Sequence, residues 1–406
     1  MPRGCIEYRF DLSAAERAQA DSRVRRVGRD LLVSPDLWLW LPEPDARQPA
    51  GPQGVDVRLE PEPGVSISVP WPELAPASAS GGGRYRMQPG PAGWRPLVAI
   101  GEFRIHRVPV GDGVLRLAVL DGNPAANEAD MIEWLGDAAR SLLTVTPAFP
   151  VPSPQVLVVP VTGSGRSGDR APTEAVPFAR VLRDGGTAVQ FLVDPRRSLA
   201  DLQADWTAAH EFAHLLLPFV SRSDAWISEG FASYYQNVLR ARSGRLEARE
   251  AWQRLHEGFE RGRRDGYRNT LRESVRNGGE NRTMRMYWSG AAVALLADLE
   301  LRRLSEGRTS LDSVLAAFAA CCLPSRRSWE GRELFERLDA LSGTEVFTRL
   351  FDRHADSTRF PDLAGAYEGL GLEVDGDRIE LVDAPRAALR DAIMAPRTAG
   401  GARPGS

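Results

Sequence analysis

The pentapeptide His210-Glu211-Phe212-Ala213-His214 constrains this chain more than any other stretch of its 406 residues. On a helix, positions i and i+4 lie on one face about a turn apart, so the imidazoles of His210 and His214 can bind one metal ion. Glu211 lies beside them and can act on a water at that ion without being a ligand. The chain has only five histidines, and two of them have this spacing. The pentapeptide therefore predicts a helix that carries a metal site.

A third metal ligand must come from elsewhere, because a catalytic zinc ion takes about three protein ligands and keeps one position open. Glu229 is the best candidate, since it lies at the start of the next predicted helix. Pro218 and the polar residues 221–224 supply the turn between the two helices. Two imidazoles and one carboxylate suit zinc, although other divalent ions compete for such sites. We therefore expect one Zn²⁺ per chain.

The second helix carries a resemblance to a known family. HExxH followed by residues 226–234 (WISEGFASY) resembles the gluzincin metallopeptidases, the clan of aminopeptidase N, leukotriene A4 hydrolase and the glycyl aminopeptidase-like proteins. The resemblance implies that His210, His214 and Glu229 bind zinc. It also implies that Glu211 is the general base, which assists the attack of a zinc-bound water on a peptide bond.

A later stretch, residues 286–290 (MYWSG), resembles the Tyr-x-Lys-Gly signature with which these families open another helix. This resemblance implies that the hydroxyl of Tyr287 stabilises the oxyanion formed during hydrolysis. Ser289 replaces the lysine of the signature, but the chain contains no lysine anywhere, so this departure carries little weight.

The resemblance also gives an expectation about substrate binding. In the family, the strand before the metal helix is a sheet edge that binds extended substrate backbone, and aminopeptidases carry a glutamate there for the substrate amine. The expected strand is residues 185–193, where Ala188 occupies the position of that glutamate. The anchor for a free N-terminus is thus expected to be absent, which leaves aminopeptidase and endopeptidase activity both open.

Hydrophobic patterning and the resemblance together predict an α+β protein. An N-terminal β-sandwich, residues 1–97, precedes a thermolysin-like zincin catalytic domain, residues 98–392. Within that domain we expect a small mixed sheet in residues 98–200 and a mainly helical part in residues 201–392. Residues 393–406, rich in Ala, Pro, Arg and Gly, are predicted to form a disordered tail.

Individual elements follow from the same patterns. Period-two alternation and short apolar runs predict strands at residues 6–12, 55–60, 65–69, 105–110, 114–120, 155–161 and 185–193. Helical periodicity predicts helices at residues 127–144, 202–217, 229–243, 246–263, 287–304, 311–322, 329–341, 345–353 and 361–370, with a short one around 14–26. Trp38, Trp40 and Trp71 are expected to fill the sandwich core.

The composition argues against several other classes of protein. A formal net charge of −3, with no basic stripe interleaved with aromatic residues, argues against nucleic-acid binding. No apolar run is long enough to span a membrane, and the N-terminus lacks the apolar segment of a secretory signal. The protein is therefore expected in the cytoplasm if Met1 is the native start, with an exported form as the alternative. Its three cysteines make no disulfide framework.

The sequence thus predicts a zinc-dependent metallopeptidase whose partner is a peptide or protein substrate, and it carries no signal for an oligomeric state. Two other functions stay open. The fold can serve as a zinc-binding scaffold that binds peptides without cleaving them, or the same centre can hydrolyse a non-peptide substrate. The presence of the base Glu211 favours catalysis over the scaffold.

Overall fold

The structure is a computed structural model. It describes residues 6–17, 23–39, 54–88, 96–120, 128–161, 174–265, 269–276 and 283–396. The chain divides into two compact units. The first comprises Met1–Arg107, Leu115–Glu128 and Ser153–Arg196, and the second comprises Val108–Val114, Ala129–Pro152 and Arg197–Ser406. Most of the predicted sheet subdomain therefore groups with the N-terminal segment, and the predicted domains themselves stay a prediction. Most of the predicted disordered tail, from residue 397 on, lies outside the described residues.

The chain before the helix that contains His210 is built of strands more than of helices. Its strands are β1 (Val24–Val27), β2 (Asp30–Val33), β3 (Val55–Leu59), β4 (Ser66–Ser68), β5 (Gly83–Met87), β6 (Val98–Gly101), β7 (Ile105–Val110), β8 (Gly113–Val119), β9 (Gln155–Pro160), β10 (Phe178–Leu182) and β11 (Ala188–Val193). Its helices are α1 (Leu12–Arg17), α2 (Pro35–Trp38) and α3 (Glu128–Ser141). The strands predicted between residues 55 and 193 are all confirmed, and β5, β6 and β10 are additional ones.

Two sheets form the predicted sandwich. Strands β1, β2, β6 and β4 make a four-stranded sheet, and β3 pairs with β5. Between them lies a core that includes Trp71, Tyr85 and Val98, with Trp38 packed against it. Trp40 lies outside the described residues. The predicted strand at residues 6–12 is wrong, because residues 6–11 have no regular structure and α1 begins at Leu12.

A five-stranded mixed sheet follows, with the strand order β10-β11-β9-β8-β7. Strands β8, β9 and β11 run parallel, and β10 is antiparallel to β11. All six residues of β9 are buried. This explains why β9 reads as a continuous apolar run, since a parallel strand covered on both faces has no solvent side to alternate with.

The remaining chain is mainly helical, as predicted. Its elements are α4 (Leu199–Ala204), α5 (Thr207–Ala213), α6 (Ala225–Arg242), α7 (Ala248–Arg264), α8 (Leu271–Arg276), α9 (Thr283–Leu304), α10 (Leu311–Cys322), α11 (Gly331–Ser342), α12 (Val346–His354), α13 (Ala364–Leu370), β12 (Leu372–Asp375), β13 (Arg378–Leu381) and α14 (Ala387–Met394). At the end of α10 a disulfide joins the adjacent Cys321 and Cys322. Within the described part of the chain, no helix has both the length and the apolar character of a membrane span.

The helix predicted at residues 202–217 is divided into shorter pieces. Asp205 has an extended conformation, with φ −72° and ψ 145°, and it ends α4. Its Oδ1 then accepts a hydrogen bond from the backbone N–H of Thr207 at 2.7 Å, at the start of α5. Aspartate competes in this way with the helix ladder, because its short carboxylate reaches nearby backbone N–H groups. After α5 the chain tightens into a 3₁₀ turn, His214–Leu216.

Helices α6 and α9 contact each other through glycine. A Cβ atom on Gly230 would overlap the main chain of Gly290, and a Cβ atom on Gly290 would overlap the backbone oxygen of Trp226. The two main chains therefore touch directly, which no larger residue at either position permits. Glu229 immediately precedes Gly230, and Tyr287 lies one turn before Gly290, so this crossing brings the two predicted site residues to the same place.

Candidate active site

His210, His214 and Glu229 converge in the second unit. One ligand atom from each residue can be chosen so that all three lie within 4.8 Å of one another. Glu229 Oε2 is 3.3 Å from His210 Nε2 and 3.5 Å from His214 Nε2. No other group of three His, Cys, Asp or Glu side chains converges in this way among the described residues. Two imidazoles and one carboxylate are the donor set of catalytic zinc sites, so the residues present fit this metal.

The two histidines are also held at their other ring nitrogens. His210 Nδ1 is 2.8 Å from Gln236 Oε1, and His214 Nδ1 is 3.0 Å from Ser228 Oγ. An amide oxygen only accepts hydrogen bonds, so the Nδ1 of His210 carries the proton and its Nε2 is left for a metal. Helix α6 thus supplies Glu229 and a hydrogen-bond partner for each histidine.

Sequence reasoning missed Gln236 and Ser228. A signal for both was present, because Ser228 is adjacent to Glu229 and Gln236 lies seven positions after it, on the same face of α6. The polar character of these residues on an otherwise buried helix face was the indication that they have partners there.

Glu211 is buried in the same cluster, with an exposed fraction of 7%. Burial is the main cause that raises the pKa of its carboxyl group, and the nearby His214 and His210 partly offset this rise. Burial alone would also raise the pKa of Glu229, but His214 and His210 outweigh it and lower that pKa well below its usual range. Burial and the same two histidines thus act on both carboxylates, and only Glu229, which lies within hydrogen-bond distance of His210, has its pKa lowered.

Tyr287 lies against His210. Its ring stacks on the imidazole of His210, with the ring centroids 5.9 Å apart and the planes 13° from parallel. Burial raises the pKa of the Tyr287 hydroxyl, and the charge of Glu229 and a hydrogen bond with this carboxylate raise it further. The structure therefore brings together all five residues that the sequence singled out, although their roles remain predictions.

The expected substrate-binding strand is not a sheet edge. Ala188 opens β11 and is paired with Leu182 of β10 on one side and Gln155 of β9 on the other. Among the described strands, β10 is the outermost on this side. The expectation that residues 185–193 form the sheet edge was therefore wrong, whereas the correspondence of Ala188 to the family's glutamate stays a prediction.

Comparison with solved structures identifies peptidases of the same architecture. An aminopeptidase N family protein from Idiomarina loihiensis has a TM-score of 0.61 and 14% identity with this chain, over 86% of this chain and 62% of that protein. A mutant of a two-domain M1 zinc metallopeptidase, bound to L-arginine, has a TM-score of 0.50 and 18% identity, over 84% of this chain and 73% of its own. This is the gluzincin aminopeptidase-like fold.

The comparison confirms the predicted α+β fold. This chain spans less than two thirds of the length of the Idiomarina loihiensis protein. Comparisons with models of protein families and with curated proteins give no match.

Proposed function

We propose that this protein is a zinc-dependent peptidase. The observation that carries the proposal is the convergence of His210, His214 and Glu229 beside the buried carboxylate of Glu211. Structural neighbours support it at the level of the fold, since they are an aminopeptidase N family protein and an M1 zinc metallopeptidase, the second bound to an amino acid. His210 Nε2, His214 Nε2 and a Glu229 carboxylate oxygen would hold the metal.

When bound, zinc supplies a Lewis acid that polarises the scissile carbonyl and lowers the pKa of water at the site. Glu211 accepts a proton from the attacking water at its carboxylate and passes it to the nitrogen of the leaving amine. The Tyr287 hydroxyl donates a hydrogen bond to the oxygen that becomes negative when the carbonyl carbon turns tetrahedral. Hydrolysis then consumes one water and yields a new carboxylate and a new amine.

The test combines metal analysis with product analysis. We expect about one zinc per chain in the wild-type protein and a sharp loss of zinc in Glu229→Ala, because a catalytic site needs about three protein ligands. Wild-type protein incubated with a mixture of peptides should release new amines. Absence of tightly bound metal would contradict the proposal. Zinc with peptide binding but no cleavage would favour the scaffold, and zinc with cleavage of esters alone would favour a non-peptide substrate.

The same assay separates aminopeptidase from endopeptidase activity. Peptides with free and acetylated N-termini differ only in the amine that an aminopeptidase must bind. Cleavage of free but not acetylated peptides would support an aminopeptidase. Equal cleavage of both peptides would support an endopeptidase.

A further inference from the structure

The imidazole of His210 is fixed in its plane by two aromatic rings. The ring of Trp206 lies perpendicular to it with a centroid distance of 5.3 Å, and the ring of Tyr287 stacks on it at 5.9 Å. These contacts are compatible with two orientations of the imidazole, because a ring rotated by 180° about its Cβ–Cγ bond keeps the same plane. The aromatic contacts therefore do not determine which nitrogen of His210 faces Glu229.

The hydrogen bond to Gln236 determines which ring nitrogen of His210 faces Glu229. The Oε1 of Gln236 is 2.8 Å from His210 Nδ1, while Glu229 Oε2 is 3.3 Å from Nε2. Both residues lie on α6, and Gln236 is 7% exposed while His210 is 3% exposed. One rigid helix therefore contacts both ring nitrogens of His210, and the hydrogen bond to Gln236 keeps the proton on Nδ1.

The side-chain amide of Gln236, which accepts the hydrogen bond from His210, carries no charge. Metal-binding histidines often donate this N–H to a carboxylate, which places a negative charge behind the ring and makes the opposite nitrogen a stronger ligand. The amide of Gln236 accepts the same hydrogen bond without adding that charge. A neutral acceptor thus orients the imidazole of His210 as a carboxylate would, but it raises the metal affinity of the site less than a carboxylate would.

We infer that Gln236 is a positioning residue, which orients His210 for zinc and, through its neutrality, holds the metal affinity of the site below the value that a carboxylate would give. The inference rests on the proposed zinc site. It predicts opposite effects for two substitutions at one position. Gln236→Leu removes the acceptor and should weaken zinc binding, whereas Gln236→Glu retains the acceptor, adds a charge and should tighten it.

The experiment measures zinc affinity by competition with a chromophoric chelator, on metal-free full-length protein. Loss of such a hydrogen-bond partner typically costs about 10- to 100-fold in metal affinity, so Gln236→Leu should fall in this range and Gln236→Glu should gain about tenfold. Gln203→Glu is the charge control, since it makes the same substitution on α4, a separate helix, and should leave the zinc affinity unchanged. It also removes the exposed hydrogen bond from Gln203 Nε2 to Glu133 Oε1, at 3.2 Å, so the folding of this variant is checked by circular dichroism as well. Cobalt-substituted proteins give a second readout, because the visible spectrum of cobalt reports the ligand geometry.

The outcomes distinguish this inference from the proposed function. Wild-type protein that binds no zinc would contradict the proposed function. Wild-type zinc binding with an unchanged affinity in Gln236→Leu, or with an unchanged or weaker affinity in Gln236→Glu, would overturn the inference alone. If Gln236→Leu does not fold, as judged by circular dichroism, the comparison of Gln236→Glu with wild type and Gln203→Glu decides.

Discussion

Helix α6 carries two clusters of buried charged side chains, and they differ in how their charges are balanced. Near its start, Glu229 lies with His210 and His214, and the three side chains direct electron-pair donors at one point. Near its end, Arg242 Nη2 is 2.9 Å from Asp312 Oδ2. The first cluster has the side chains of a metal-binding site. In the second cluster, the positive charge that balances the carboxylate is the guanidinium of Arg242.

The second cluster is closed by further pairs. Arg302 Nε donates to Asp298 Oδ1 at 2.9 Å, and the hydroxyls of Tyr234 and Tyr235 donate to Asp298 and Asp312 at 3.2 and 2.9 Å. A buried charge is costly unless it is paired, and here arginines and aspartates pair with one another. The comparison teaches that buried charge alone does not indicate function. Electron-pair donors that converge without a positively charged side chain among them are what indicates a metal site.

The largest effect is expected from Glu211→Gln, which keeps the size of the side chain but removes the base. Loss of a general base typically costs about 10²- to 10⁴-fold, and we expect about a thousandfold loss of kcat/KM on a cleaved peptide. The zinc content should stay at the wild-type value, because Glu211 is not among the converging ligands. Full activity in this variant would show that Glu211 is a buried carboxylate that takes no part in the reaction.

The arginine–aspartate cluster should instead respond in stability. Asp312→Ala leaves Arg242 buried without its carboxylate, and breaking a buried pair typically costs about 3–5 kcal/mol in the free energy of unfolding. Replacing both partners, as in Arg242→Met with Asp312→Leu, should cost much less. Urea unfolding at constant zinc measures both variants. An equal loss in the single and double variants would mean that the pair itself is strongly stabilising.

Tyr287→Phe tests whether the hydroxyl acts in catalysis or only in packing. The ring that stacks on His210 is retained, so we expect unchanged zinc affinity and a kcat lower by about 10²-fold, the lower end of the cost of losing an oxyanion donor. Steady-state kinetics on the same peptide gives kcat and KM separately. A change in KM with an unchanged kcat would assign the hydroxyl to substrate binding.

His354 represents a third kind of buried ionisable group, one that stays neutral. Burial, and then the charge of Arg353, lower its pKa to about 4. The unfolded chain, with a pKa near 6.5, therefore binds more protons between about pH 6.5 and pH 4. The His354 contribution to the free energy of unfolding is fully present above about pH 6.5 and is lost as the pH falls toward 4. Urea unfolding across this range should show a shallower pH dependence in His354→Leu than in wild type.

The sequence was most informative where function depends on local spacing. The HExxH pentapeptide and its flanking helices identified His210, Glu211 and His214, because one helical turn brings such residues together without any long-range information. Glu229 and Tyr287 could be named from the resemblance. That they meet at one place depends on the contact between α6 and α9, which no pattern within either helix contains.

Features that depend on long-range pairing were missed. Strand β10 (Phe178–Leu182) was not predicted, since it is short and has only partly buried residues at most positions. Strand order is set by hydrogen bonds between distant segments, so β11 was taken for an edge although β10 covers it. The break of the predicted helix at Asp205 was also missed, because an aspartate between apolar helical positions looks like a solvent-exposed residue.

The contact of main chains at Gly230 and Gly290 limits which substitutions can be accepted during the evolution of this protein. Side chains elsewhere along α6 and α9 can be exchanged for others of similar volume, because packed neighbours adjust. At the two glycines there is no side chain to adjust, and any replacement separates the helix that carries Glu229 from the helix that carries Tyr287. Sequence drift in the surrounding core is therefore compatible with a constant distance between these two residues, whereas a single added methyl group at either glycine is not.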